Sequence, residues 1–321
     1  MSNRGKMLSA IVGIAIGAFA IPSARAAGWY VSGGSGQALQ ATIDAASPGD
    51  TIVVGPGTYS VHRYFFVTKP LHILSEKGPQ LTTIANTYQC IGVGGPCYGS
   101  NGFIMYYSAK GIFTIAGFTI RGHRPFDWDI TSGRGIEASA PGTIRDNVFD
   151  GNEVALAAFN TTSLVRIENN LFHNNFQGIR AEDSESLEIR HNSFVHNTWQ
   201  IEIRLYKGAP SSVTIANNIL VNGYRGIMVN SPAIVPSISC NDVWNNREGN
   251  YYDQVSDRTG IDGNISLDPL LCNGYYLHLG SPCLGANTPT LCSGDHMGCY
   301  PVACEVATEK QSWGKVKSVF R

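Results

Sequence analysis

Two stretches of the sequence concentrate side chains able to do chemistry. Residues 121–137, RGHRPFDWDITSGRGIE, bring His123, Arg124, Asp127, Trp128, Asp129 and Arg134 close together. Paired aspartates can serve as acid and base or offer oxygen ligands to calcium, and an indole beside basic groups is a platform for a sugar ring. In the second stretch Arg180, Glu182, Glu202 and Arg204 recur at a spacing of 22, with Asp183 nearby and Tyr206 and Lys207 in the insertion 205–210. If that spacing is one structural repeat, Arg180 stacks beside Glu202 and Glu182 beside Arg204. The result is a checkerboard of alternating charge, each pair contributing roughly a few tenths to one kcal/mol. A catalytic cation should be less neutralised than this, so the pattern favours a structural ladder.

Both readings depend on the elements that hold these residues in place. Asn147, Asn170, Asn192, Asn218 and Asn241 recur at intervals of 23, 22, 26 and 23 residues, and Asn152, Asn175, Asn197, Gly223 and Asn246 follow the same intervals. So do the apolar columns Ile144, Ile167, Ile189, Ile215, Ile238 and Phe149, Phe172, Phe194, Leu220, Val243; a further column is Leu156, Ile179, Ile201, Ile227. Independent columns with one set of spacings mark an internal repeat in the range of solenoids. The leucine spacing of leucine-rich repeats is absent. Segments 164–168 (LVRIE) and 187–190 (LEIR) alternate at period two, as strands do, and Gly and Asn punctuate them. Coils stacked about 4.8 Å apart would merge the Ile and Phe columns into one core, and corner asparagines would bond one another's amides in ladders. The asparagines therefore read as architecture, not as ligands.

The predicted fold is all-β, a single-stranded parallel β-helix of about nine coils over residues 51–250. Residues 27–50 form an N-terminal cap with a short helix, begun by Ser35 and carrying Leu39, Ile43 and Ala46 on one face. The cap hides the open end of the stack. Residues 251–305 form a Cys-rich C-terminal cap and 306–321 a tail. On this layout 121–137 is the excess of a 29-residue coil, and His123 falls in the second asparagine column.

Arg4 and Lys6 precede an apolar run over 7–21, and Ala24-Arg25-Ala26 completes a cleavage pattern. Residues 1–26 are expected to be a secretory signal peptide, which places the mature chain outside the cytoplasm: secreted, periplasmic or on the cell surface. No later segment is apolar enough for a transmembrane span. With 36 glycines and 15% charged residues the composition suits a turn-rich β protein. A net charge of −1 offers no overall basic field for nucleic acid or acidic lipid. Eight cysteines in an exported chain imply disulfides, and their spacing makes no four-ligand zinc pattern. Proximity in sequence suggests the pairs Cys90–Cys97, Cys240–Cys272, Cys283–Cys292 and Cys299–Cys304.

Residues 39–59 (LQATIDAASPGDTIVVGPGTY), 116–122 (AGFTIRG) and the recurring asparagine–phenylalanine–asparagine pattern resemble right-handed parallel β-helix proteins of the pectin-lyase-like superfamily. The stretches SCNDVWNN (239–246), GNISLDPLLC (263–272) and LGSPCLGAN (279–287) look like an exported bacterial subgroup with a Cys-rich cap. The resemblance implies the right-handed form of the predicted helix. It also implies that a lyase of this kind would use Arg or Lys as base with carboxylates holding calcium. Arg204, Lys207 and Glu182 are then the catalytic candidates. Trp128, His123, Arg124, Arg134 and Tyr206 are candidates for substrate binding, and Asp127 and Asp129 for calcium. No catalytic motif of the superfamily is matched residue by residue, and the architecture hosts many activities. The expected function is therefore an exported protein that is carbohydrate-binding or surface-associated, with a polysaccharide or cell-surface glycan as partner and no demonstrated catalysis. The alternative is a polysaccharide lyase or epimerase acting on uronate-containing glycans.

Overall fold

The computed structural model describes residues 26–60, 63–85, 101–106, 111–123, 133–207, 212–285, 287, 292 and 296–304. Among them the short alternating segments form three parallel sheets of nine, eight and eight strands, each strand pairing with its counterpart one coil away. The first sheet runs from Gly28–Val31 to Ser237–Ser239, the second from Gly57–Tyr59 to Asp242–Trp244, and the third from Phe65–Val67 to Gly249–Asp253. This is the predicted β-solenoid. The first strand, Gly28–Val31, pairs with Thr51–Val54, so the stack already begins within the segment read as a cap.

The columns stand in register as their spacing requires. Ile144, Ile167, Ile189, Ile215 and Ile238 are successive partners in the first sheet. Phe149, Phe172, Phe194, Leu220 and Val243 do the same in the second. All of them are buried, and the three phenylalanines stack face to face with centroids 4.8 and 4.5 Å apart. Full burial of each such side chain contributes about 1.5–3 kcal/mol.

The corners explain the asparagines. Immediately before each member of the first column stands a residue in the left-handed region: Asp146, Asn169, His191, Asn217 and Cys240, with φ between 53 and 56°. That bend strands backbone groups, and the next asparagine satisfies them. Asn192 Nδ2 donates to the carbonyls of Ile167 and Arg190, and its Oδ1 accepts from the backbone N–H of Asn170. The amides also bond one another from Asn147 through Asn170, Asn192, Asn218 and Asn241 to Asn264. A second ladder runs Asn152, Asn175, Asn197. At Gly223 the column lacks a side chain, and Gln200 bridges the gap: it accepts from Asn197 Nδ2 at 2.8 Å and donates to Asn246 Oδ1 at 3.2 Å.

The helix Gly36–Ala45 closes the N-terminal end, with Ser35 Oγ accepting from Ala38 N–H and Leu39 and Ile43 buried. Its Gln40 amide accepts from the Phe66 N–H and donates to the Phe66 carbonyl. One side chain thus completes the ladder that the edge of the third sheet would otherwise leave open. At the other end a hairpin of Leu271–Cys272 and Tyr276–His278, joined by Val302–Cys304, packs on the second sheet.

The cap corrects the disulfides. Cys240 bonds Cys292, with Cα atoms 5.5 Å apart, so neither Cys240–Cys272 nor Cys283–Cys292 forms. Cys283 and Cys299 are free thiols, which also removes Cys299–Cys304, while Cys272 is disulfide-bonded. The chain returns beneath the last corner, where both Cys240 and Cys292 sulfurs lie against Gly263, and contact there outranks proximity in sequence. Cys90 and Cys97 lie outside the described residues.

Candidate functional face on the third sheet

In the third sheet Ile136, Leu156, Ile179, Ile201 and Ile227 point into the core. Period-two alternation then turns Glu137, Ala157, Arg180, Glu202, Met228 and Tyr252 outward in one column. Phe159, Glu182 and Arg204 form the next. A third column holds Arg134, Val154, Gln177, Trp199 and Arg225. The glycine before the inward Ile is required by backbone contact: a Cβ on Gly178 would stand 2.5 Å from the Gln200 carbonyl oxygen.

The register places Arg180 beside Glu202 and Glu182 beside Arg204, as the spacing predicts. The side chains choose differently. Arg180 Nε donates to Glu182 on its own strand at 2.6 Å. Arg204 Nη2 meets Glu202 on its own strand at 2.5 Å, while Nη1 reaches Glu182 across the coils at 3.6 Å and donates to the Tyr206 hydroxyl at 3.0 Å. Glu202 is the most enclosed member, its side chain 3% exposed, and it also accepts from the Gln177 amide. Burial works against the charge on Arg204, but the hydrogen bond and charge of Glu202 outweigh it and hold the guanidinium above its ordinary pKa. Such a group is a poor base.

Aromatic rings interleave with these pairs. Arg134 meets Glu137 at 2.5 Å and lies 4.6 Å over the Phe159 ring. Arg225 pairs with Glu248 and lies 4.1 Å over Tyr252 and 5.6 Å over Trp199. Each such contact adds about 0.5–1 kcal/mol and holds the guanidinium flat. Tyr206 and Lys207 stand at the edge of this face, their backbone N–H groups both donating to Asp183 Oδ1 at 2.7 and 2.8 Å. Asp183 is thus a loop anchor.

Of the candidates from the 121–137 loop, the structure places two. Arg134 belongs to the charged face. His123 is buried at a corner, with its backbone N–H donating to Asn152 Oδ1 at the head of the second ladder. Arg124, Asp127, Trp128 and Asp129 lie outside the described residues. Among the described residues no group of three His, Cys, Asp or Glu side chains converges as a metal site, and no helix is long and apolar enough to cross a membrane. Sequence reading passed over Gln177, Trp199, Arg225 and Tyr252. The spacing already in hand, 22 then 26 from Gln177 to Trp199 to Arg225, aligns the first three.

No curated protein and no solved structure matches this chain. Residues 97–246 match the family model described as the right handed beta helix region. That stretch holds the side-chain amides of both ladders except Asn264, and the charged face from Arg134 to Arg225.

Proposed function

We propose that this protein is an exported glycan-binding β-helix that lays a linear, acidic polysaccharide along the outer face of its third sheet. The carrying observation is the array itself. Five successive coils each present an Arg or an aromatic outward: Arg134, Phe159, Arg180, Arg204, Arg225. These groups fall in three neighbouring columns of one face, on coils about 4.8 Å apart, an extended array matched to a polymer rather than to a compact ligand. Each guanidinium offers five N–H donors, and its carboxylate partner occupies only some of them, leaving forks for sugar hydroxyls and carboxylates. β-Elimination at this face is the weaker reading, because Arg204 is held charged by Glu202.

The test is retention of the mature protein in affinity electrophoresis through gels containing acidic or neutral polysaccharides. Retention by an acidic glycan that falls with salt, and that Arg225→Ala and Phe159→Ala each weaken severalfold, is the expected result. Equal retention of the variants, or no retention by any acidic glycan, overturns the proposal. Ultraviolet absorbance of unsaturated uronide product, followed in parallel, decides whether elimination accompanies binding.

A further inference from the structure

On the second sheet the outward positions change character along the stack. Leu171, Val195, Ile219 and Val221 are apolar and buried beneath the C-terminal cap with Leu277 and Met297. One and two coils nearer the N-terminus, the column that contains Val195 and Val221 carries His173 and Asp150 instead. There a cavity of about 450 Å³ opens between the cap and the coils. This volume lies in the range of small-molecule sites, about 300–1,000 Å³.

Its floor is a built polar cluster. Asp150 Oδ1 and His173 Nδ1 are 2.9 Å apart. The carboxylate can only accept, so Nδ1 carries the proton and Nε2 is left as an acceptor when the ring is neutral. The Tyr275 hydroxyl comes from the cap, 102 residues away in sequence, to lie 3.3 Å from Nδ1 and 3.5 Å from Nε2. Burial, and then the charge of Asp150, raise the Tyr275 phenol above its ordinary pKa, so it stays a proton donor. Tyr276 and Tyr300, with centroids 4.9 Å apart, line it with aromatic surface, and Gln80 and Thr119 also line it. Asp150 remains accessible, its side chain 41% exposed.

The geometry points to a second binding site here, separate from the third sheet, for one or two rings of a neutral saccharide. A carboxylate, an imidazole acceptor, a phenol and amides are suited to vicinal hydroxyls, and the tyrosine faces suit the C–H side of a pyranose. Thr119, Asp150 and His173 lie on three successive coils about 4.8 Å apart, a span longer than a single ring needs. Among the described residues that line the cavity there is no Lys or Arg, and Asp150 repels a second carboxylate, so a uronate is disfavoured. The two faces thus divide the work, acidic chain on one and neutral sugar on the other, and either can fail without the other.

The experiment is saturation-transfer NMR and titration calorimetry on the mature protein with methyl glycosides of glucose, galactose, mannose and xylose, their disaccharides, and galacturonate. At least one neutral glycoside is expected to bind. Asp150→Asn, which keeps the shape of the site, and Tyr276→Leu should each weaken it about tenfold or more, with thermal melts confirming that both variants fold. Galacturonate should not compete. The proposal is overturned if no neutral glycoside binds at millimolar concentration, if either folded variant binds as well as the parent, or if galacturonate binds equally well.

Discussion

Arg204→Ala separates a structural ladder from a dispensable surface pair. Glu202 is nearly enclosed, and its partners are the Arg204 guanidinium and the Gln177 amide. Deleting one partner of a buried pair costs about 3–5 kcal/mol, because the other charge stays buried. Here Gln177 still donates, and Arg204 itself is 22% exposed, so the expected cost is about 2–3 kcal/mol. For a domain of this size that lowers the thermal midpoint by roughly 2–4 °C per kcal/mol, far more than an exposed pair would give. Urea unfolding followed by far-ultraviolet circular dichroism measures it. Glu202→Gln should be milder alone, and the double variant should recover most of the loss, since it removes the stranded charge and keeps an amide to meet Gln177. An Arg204→Ala midpoint equal to the parent's, or a double variant no more stable than the single, would refute the reasoning.

Two further perturbations test the frame around the sites. Asn192→Ala strands the Asn170 N–H and leaves the Ile167 and Arg190 carbonyls without their amide donor in a dry corner, a loss of about 3–5 kcal/mol that chemical denaturation would detect; a loss below about 1 kcal/mol would mean that the ladder is ornamental. Burial pushes the Asp242 carboxyl from 3.8 up to about 7, against the opposing hydrogen bonds from Leu267 N–H and Cys283 Sγ. A raised carboxyl pKa favours the folded state in acid, and that contribution is lost as pH rises from about 4 through about 7. Asp242→Asn should therefore be nearly neutral at about pH 4 and stabilising by on the order of 2–4 kcal/mol at about pH 8. A pH-independent difference would contradict the assignment.

The columns were legible because a solenoid repeats its contacts at a fixed chain interval, so the neighbour of Asn170 or Phe172 is found by addition. The same arithmetic aligned Glu182 with Arg204. It could not say that Arg180 would turn to Glu182 on its own strand while Glu202 took Arg204 and Gln177, because rotamer choice among long side chains depends on which group is more buried. Nor did it anticipate Gln200 filling the ladder at Gly223, a substitution by a residue from another column.

The sequence by itself determined the solenoid, its register, the asparagine ladders, the helix that closes its N-terminal end and the faces of its sheets, all of which follow from periodic local spacing. Only the tertiary structure decided where the cap lands. The bond from Cys240 to Cys292, the free thiols of Cys283 and Cys299, and the meeting of Asp150 and His173 with Tyr275 join aperiodic segments to distant coils. No interval in the chain encodes such contacts, because they depend on how an irregular segment packs against a finished surface.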